Sequence, residues 1–185
     1  MNISIPPSVD FLTGRIESDS KVTKATTIKS LEGVFADTRA YSQLDPDQVV
    51  YSVEMLPAES DEGELNFGVS HIEPGLVGNE YHMTRGHFHQ REEQAEYYFG
   101  AAGKGLLILQ DQSGGVTVES VFPGSVHHIG GYIAHRLVNT GEVRLSALAV
   151  WPAVAGHNYG ELKEKGFNVR VLCEDGDVRL VNQDD

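Results

Sequence analysis

In GHFHQREEQAE, residues 86–96, two histidines stand one residue apart and a glutamate follows seven residues after the second. Side chains alternate along extended backbone, so His87 and His89 project from one face while Phe88 takes the other. The polar stretch QREEQ turns the chain, and AEYYFG returns as a strand that brings Glu96 back to the two imidazoles. A fourth donor has to come from elsewhere, and the best placed is His135 in GGYIAHRLVN, four residues ahead of Asn139. Three imidazoles and one carboxylate suit iron, manganese, nickel or zinc, and leave coordination positions for a substrate. One divalent ion per subunit is expected, with iron first among the four.

The rest of the chain has to build something that holds these donors together. At 185 residues it is long enough for one sizeable core and short for two ordinary domains. Residues 1–48 read as an N-terminal extension packed on the remainder of the chain: IPPSVDFLTG is broken by two prolines, while TIKSLEGVFADTRAY sets Ile28, Leu31, Val34 and Phe35 at helical spacing. From residue 49 to 185, short β-branched and aromatic runs alternate with glycine, proline and acidic clusters. The expected strands are VVYSVEM, LNFGVSHI, AEYYFG, KGLLILQ, VTVESVF, SVHHIG, RLSALAVW, FNVRVLC and DVRLVN, with DQSGG and EDGD as hairpin turns. That many strands in one domain predict an all-β sandwich or barrel.

Composition excludes several partners. A formal charge of -13 works against phosphate backbones and anionic membrane surfaces. The most apolar stretch, LSALAVWPAVAG, is far shorter than the roughly 18 residues a membrane helix needs. The lone Cys173 has no internal partner, and MNISIPPSVD lacks the pattern of a secretion signal. No nucleic acid, no membrane and a cytoplasmic location are the expectations. Cys173 lies beside Glu174 and Asp175, which disfavour its thiolate and argue against a nucleophile.

The spacing His87-x-His89-x6-Glu96-x6-Gly103, followed by Gly124-x10-His135-x3-Asn139, resembles the two motifs of the cupin superfamily. That resemblance implies a double-stranded β-helix, or jelly-roll barrel. The His89–Glu96 gap is longer than in many cupins, and Gly130 stands where the second motif usually has proline. Within cupins, TRGHFHQREEQAEYY together with AHRLVNTGE, WPAVAGHNYG and EKGFNV resembles the cupin-type phosphoglucose isomerases over nearly the whole chain. The resemblance implies a metal-dependent aldose–ketose isomerase acting on glucose 6-phosphate and fructose 6-phosphate, in a homodimer. Two other readings of the same donor set are a non-haem iron dioxygenase and a non-catalytic sugar-phosphate-binding cupin.

Outer residues come from the same likeness. Thr84 offers a hydroxyl, and Gly86 a backbone N–H open to a phosphate oxygen; in the family this stretch helps hold the phosphate. His157 and Tyr159, in AGHNYG, match a substrate-facing loop, while Ser70, Tyr51 and Tyr132 match other pocket positions. Glu96 and Tyr159 are the candidate proton carriers. Trp151 stands where the family often has tyrosine. His127 and His128 are neighbours on a strand and face opposite sides; they and the isolated His71 and His82 are expected outside the site.

Overall fold

The β-rich texture becomes fifteen strands among residues 2–183, the part of the chain described by the computed structural model. In chain order they are β1 (Ser8–Val9), β2 (Ile16–Glu17), β3 (Val22–Thr27), β4 (Val49–Leu56), β5 (Leu65–Ile72), β6 (Leu76–Val77), β7 (Glu80–Tyr81) and β8 (Glu96–Ala102). There follow β9 (Gly105–Asp111), β10 (Val116–Val121), β11 (Val126–Ile129), β12 (Ile133–Asn139), β13 (Leu145–Pro152), β14 (Val169–Glu174) and β15 (Asp177–Asn182). All pairings are antiparallel. A six-stranded sheet runs β11-β8-β13-β5-β4-β3, a three-stranded sheet β10-β9-β12, and a four-stranded one β15-β14-β7-β6.

Packing shows how the first two sheets face each other. Ile72, Tyr98, Ile129, Leu145 and Ala147 from the larger sheet share one core with Leu107, Val121 and Leu137 from the smaller. On β9 and β12 the next residues along, Ile108 and Val138, enter a second core with Ile28, Leu31, Phe35, Met83, Phe88 and Phe167. The period-two alternation of these strands thus builds the inter-sheet core on one face and seats residues 28–35 and 167–171 on the other.

Both expected hairpins form. Between β14 and β15, Asp175 and Gly176 adopt φ of 52° and 88°, the left-handed pair that a tight two-residue hairpin turn requires. The motif residues outside the donor set are architectural. Asn139 is fully buried, donating to the carbonyls of Ile72 and Val143 at 2.9 Å each and accepting from Gly141 N–H at 2.9 Å. Gly103 sits at φ 75° with the Arg144 carbonyl against its Cα, a place no side chain fits.

The N-terminal extension departs from the helix its periodicity predicts. The chain makes a single 3-10 turn at Ile28–Leu31 and breaks at Gly33, φ 78°; a short helix α1 (Thr38–Ser42) then starts under an Asp37 cap that accepts from Ala40 N–H at 2.8 Å. Ile28, Leu31 and Phe35 are buried all the same. Val22–Thr27, unrecognised as a strand in the sequence, pairs with β4 and forms the edge of the large sheet. Also missed were β12, which carries His135, and a second short helix, α2 (Gly160–Lys165).

A buried polar relay ties the first residues down. Ser146 Oγ donates to the Thr13 carbonyl at 2.9 Å and so must accept from His71 Nδ1–H at 2.8 Å. Replacing Ser146 by alanine leaves a buried N–H unpaired, which costs about 1–3 kcal/mol. Urea denaturation of Ser146→Ala is expected to show that loss as a lower midpoint with an unchanged slope.

Candidate active site

The donors converge because three separate stretches are stitched together. His87 and His89 lie in an extended segment between β7 and β8 that belongs to no sheet and is held by single ladder pairs, His87 to His135 and Phe88 to Asn158. His87 N–H donates to the His135 carbonyl at 3.3 Å, and His135 N–H returns a bond to the His87 carbonyl at 3.1 Å. Glu96 opens β8 after the turn, opposite Ile129 of β11. Phe88 points away from the imidazoles into the second core.

Ligand-type nitrogens of His87, His89 and His135 lie within 4.8 Å of one another. Glu96 Oε1 is 2.6 Å from His135 Nε2 and 3.4 Å from His89 Nε2. His89 is poised by its far side: Nδ1 meets the Gln94 carbonyl at 2.8 Å. A carbonyl only accepts, so Nδ1 carries the proton and the Nε2 lone pair faces inward, the arrangement usual for a metal-binding imidazole.

His135 and Glu96, 2% and 5% exposed, are the informative pair. Neither ring nitrogen of His135, nor Glu96 Oε1, makes a hydrogen bond, although the two groups touch. Unsatisfied buried polar atoms cost about 1–3 kcal/mol each, and a shared cation offsets that cost. The donor set, nitrogen-rich with one carboxylate, fits a first-row divalent metal. Burial works to raise the Glu96 carboxyl, but His135 and His89 outweigh it and hold the group down at about 2. His87 is pushed well below the usual imidazole range by burial and by its histidine neighbours. It is therefore neutral, as a ligand must be.

These groups line a cavity of about 340 Å³. Tyr51, Ser70, Thr84, Gly86, His157 and Tyr159 line it as expected. The His157 and Tyr159 rings stack, 5.9 Å apart and 5° from parallel, with His157 4.3 Å from the His87 ring. Thr84 Oγ1 accepts from Leu137 N–H at 3.1 Å, which leaves its own proton free to donate. Gly86, at φ 76°, has Phe167 within 2.5 Å of where a Cβ would stand.

Tyr132 does not join them. It is 53% exposed in the turn before β12, at φ 64°, with its N–H on the Glu92 carbonyl, and it is not among the cavity-lining residues. His71, His82, His127 and His128 also stay outside; His127 is buried between Glu119 and Ser125, at 2.6 and 2.8 Å. Sequence reading missed Tyr98 and Lys24. Tyr98 was within reach, since it follows Glu96 by two along β8 and so shares its face; its phenol is pushed well up by burial. Lys24 was not, because only the pairing of β3 with β4 sets Val22, Lys24 and Thr26 along the cavity beside Tyr51, Val53 and Met55. Trp151 lines the cavity over Gly68, where a Cβ would stand 3.0 Å from the indole.

A family model described as glucose-6-phosphate isomerase (GPI) matches residues 25–185. The chain is 42% identical over 175 residues to the glucose-6-phosphate isomerase of Thermococcus kodakarensis, covering 94% of this chain and 92% of that one. It is also 42% identical over 176 residues to the protein of the same name from Pyrococcus furiosus, with the same coverage. A solved oxalate oxidase structure superposes with a TM-score of 0.51 at 15% identity, over 61% of this chain and 56% of that one, a likeness of fold: the cupin barrel. With a family match that takes in the barrel and the last residues of the N-terminal edge strand, the chain belongs to the glucose-6-phosphate isomerase family, in its cupin form.

Proposed function

We propose that the protein is a metal-dependent isomerase that interconverts glucose 6-phosphate and fructose 6-phosphate, with His87, His89, Glu96 and His135 holding one divalent ion, iron before nickel, manganese or zinc. The observation that carries this reading is the set of buried, unsatisfied donor atoms on His135 and Glu96 lining a sugar-sized cavity, in a chain of this family. When bound, the ion supplies Lewis acidity to the sugar oxygens, favouring charge that develops as hydrogen moves between C1 and C2.

The protein supplies the rest. Glu96, ionised and beside the imidazoles, carries the proton between the two carbons, while the stacked His157 and Tyr159 hold a sugar hydroxyl and limit access of water. Thr84, Gly86 and Ser70 take the phosphate through hydroxyl and backbone N–H donors. Binding of that remote group positions the reacting carbons. Cytoplasmic location and a homodimer complete the proposal; no helix among the described residues is long and apolar enough to cross a membrane. The test is anaerobic conversion of fructose 6-phosphate by the metal-loaded protein. Turnover without oxygen supports the isomerase, whereas tight binding without interconversion would leave a sugar-phosphate-binding protein, and oxygen consumption a dioxygenase.

Lys24, on the edge strand β3, and Arg85 are the cations that line the cavity. Lys24→Met is expected to raise KM for fructose 6-phosphate by about tenfold with little change in kcat, as for loss of one charge-assisted bond. Steady-state kinetics at low and high salt check this, since salt should erode the wild-type advantage.

A further inference from the structure

A second cavity abuts the first. Arg85, Gly86 and Tyr159 line both, and the smaller one, about 90 Å³, is completed by Arg136, Arg170 and Lys165. Four cationic side chains against one carboxylate, Glu32, around one small space stand out in a chain of net charge -13. Their partners are few. Arg136 is 8% exposed; its guanidinium donates to the Arg85 carbonyl through Nε at 3.2 Å and Nη2 at 2.6 Å, and lies 4.4 Å over the Phe167 ring. Arg85 turns its own guanidinium to the Ser30 carbonyl. Among the described residues only Arg170 has a carboxylate, Glu80 at 2.9 Å, and Glu80 also accepts from Ala36 N–H at 2.6 Å.

Arg136, a buried guanidinium, thus stands with Arg85, Arg170 and Lys165 around this space. It stays charged at neutral pH. Grouping cations around a partly buried space is costly unless an anion answers them. The space, about 90 Å³, has room for one tetrahedral oxyanion. Gln183, on the wall, has an amide oxygen that is buried without a hydrogen-bond partner, an acceptor suited to the proton of a hydrogenphosphate.

We propose that this cavity is a separate anion site for a phosphoryl group, with Arg136 and Arg170 providing forked donors and Lys165 a point charge. It is distinct from the cavity that holds the metal donors. Because Arg136 grips the carbonyl between Thr84 and Gly86, an anion here also stiffens the segment that faces the substrate phosphate.

The test is titration calorimetry with inorganic phosphate on the metal-loaded full chain, its larger cavity first saturated with a glucose 6-phosphate and fructose 6-phosphate mixture. One further phosphate per chain is expected. Arg170→Lys keeps the pair with Glu80 but loses the fork, and should weaken this binding about tenfold. Lys165→Gln, an exposed position that leaves the fold intact, should weaken it by a few-fold, with KM for fructose 6-phosphate unchanged. Methyl phosphate binding as well as phosphate would assign the group to a larger ester, and its exclusion to the free ion. No heat beyond the saturated cavity, or binding that Lys165→Gln and Arg170→Lys leave untouched, overturns the proposal. The readout is binding, so it stands or falls apart from isomerase activity.

Discussion

Chelation of the metal-loaded protein is expected to abolish isomerisation, and His135→Ala to reproduce that loss at any metal concentration, by about a thousandfold or more. The size follows from Lewis-acid stabilisation worth several kcal/mol, at about 1.4 kcal/mol per factor of ten. His135 is the residue to change because its ring has no other employment. It is 2% exposed, makes no hydrogen bond through either nitrogen, and touches Glu96 only edge to oxygen. Its backbone, by contrast, stays in the ladder with β9 and with His87, so the barrel should persist. The check is metal content and turnover of wild type and variant, each stripped and then given iron, nickel, manganese or zinc in turn. Recovery in wild type with none in the variant is the expected pattern, and full activity of the stripped wild type would sink it.

The second large effect is at Glu96. Glu96→Gln preserves shape and removes the charge, and kcat is expected to fall by about 10²–10⁴, the range for loss of a positioned proton carrier. Two readouts separate this from simple loss of the ion. Metal content should fall less than activity, since three imidazoles remain. Solvent deuterium should appear at C2 of product formed by wild type, whereas a direct hydride shift would leave C2 unlabelled and remove Glu96 from the role. The carboxyl also matters to stability. In the metal-free protein, where the neighbouring imidazoles hold it at about 2 against an ordinary 4.5, it contributes stability present above pH 4.5 and lost as pH falls toward 2.

Alternation made much of this legible. His87, Phe88 and His89 separate into two cavity-lining donors and one core residue for the same reason that Leu107 and Ile108 enter different cores. The hairpins at DQSGG and EDGD were readable because their glycines and aspartates tolerate left-handed backbone. The N-terminal helix was misread because Ile28, Leu31 and Phe35 are spaced for burial, which a turn broken at Gly33 delivers as well as a helix does. Strand β12 was passed over because His135, Arg136 and Asn139 interrupt its apolar pattern, and all three are buried. Arg136 and Asn139 go inside with hydrogen-bond partners, and two of these, the Arg85 and Ile72 carbonyls, lie far away in sequence. Tyr132 was assigned to the cavity by likeness, but the turn at Gly130–Gly131 leaves it exposed.

By itself the sequence determined the candidate donor types, their spacing along each stretch and the all-β class, because alternation and turn chemistry act over a few residues. Tertiary structure alone decided that β3 lends Lys24 to the cavity, that Tyr132 stays out, and that Arg85, Arg136, Arg170 and Lys165 meet around a second space. Those meetings depend on strand pairing and packing between segments far apart in the chain, 85 residues from Arg85 to Arg170, and no local pattern of side chains encodes which distant surface each one will meet.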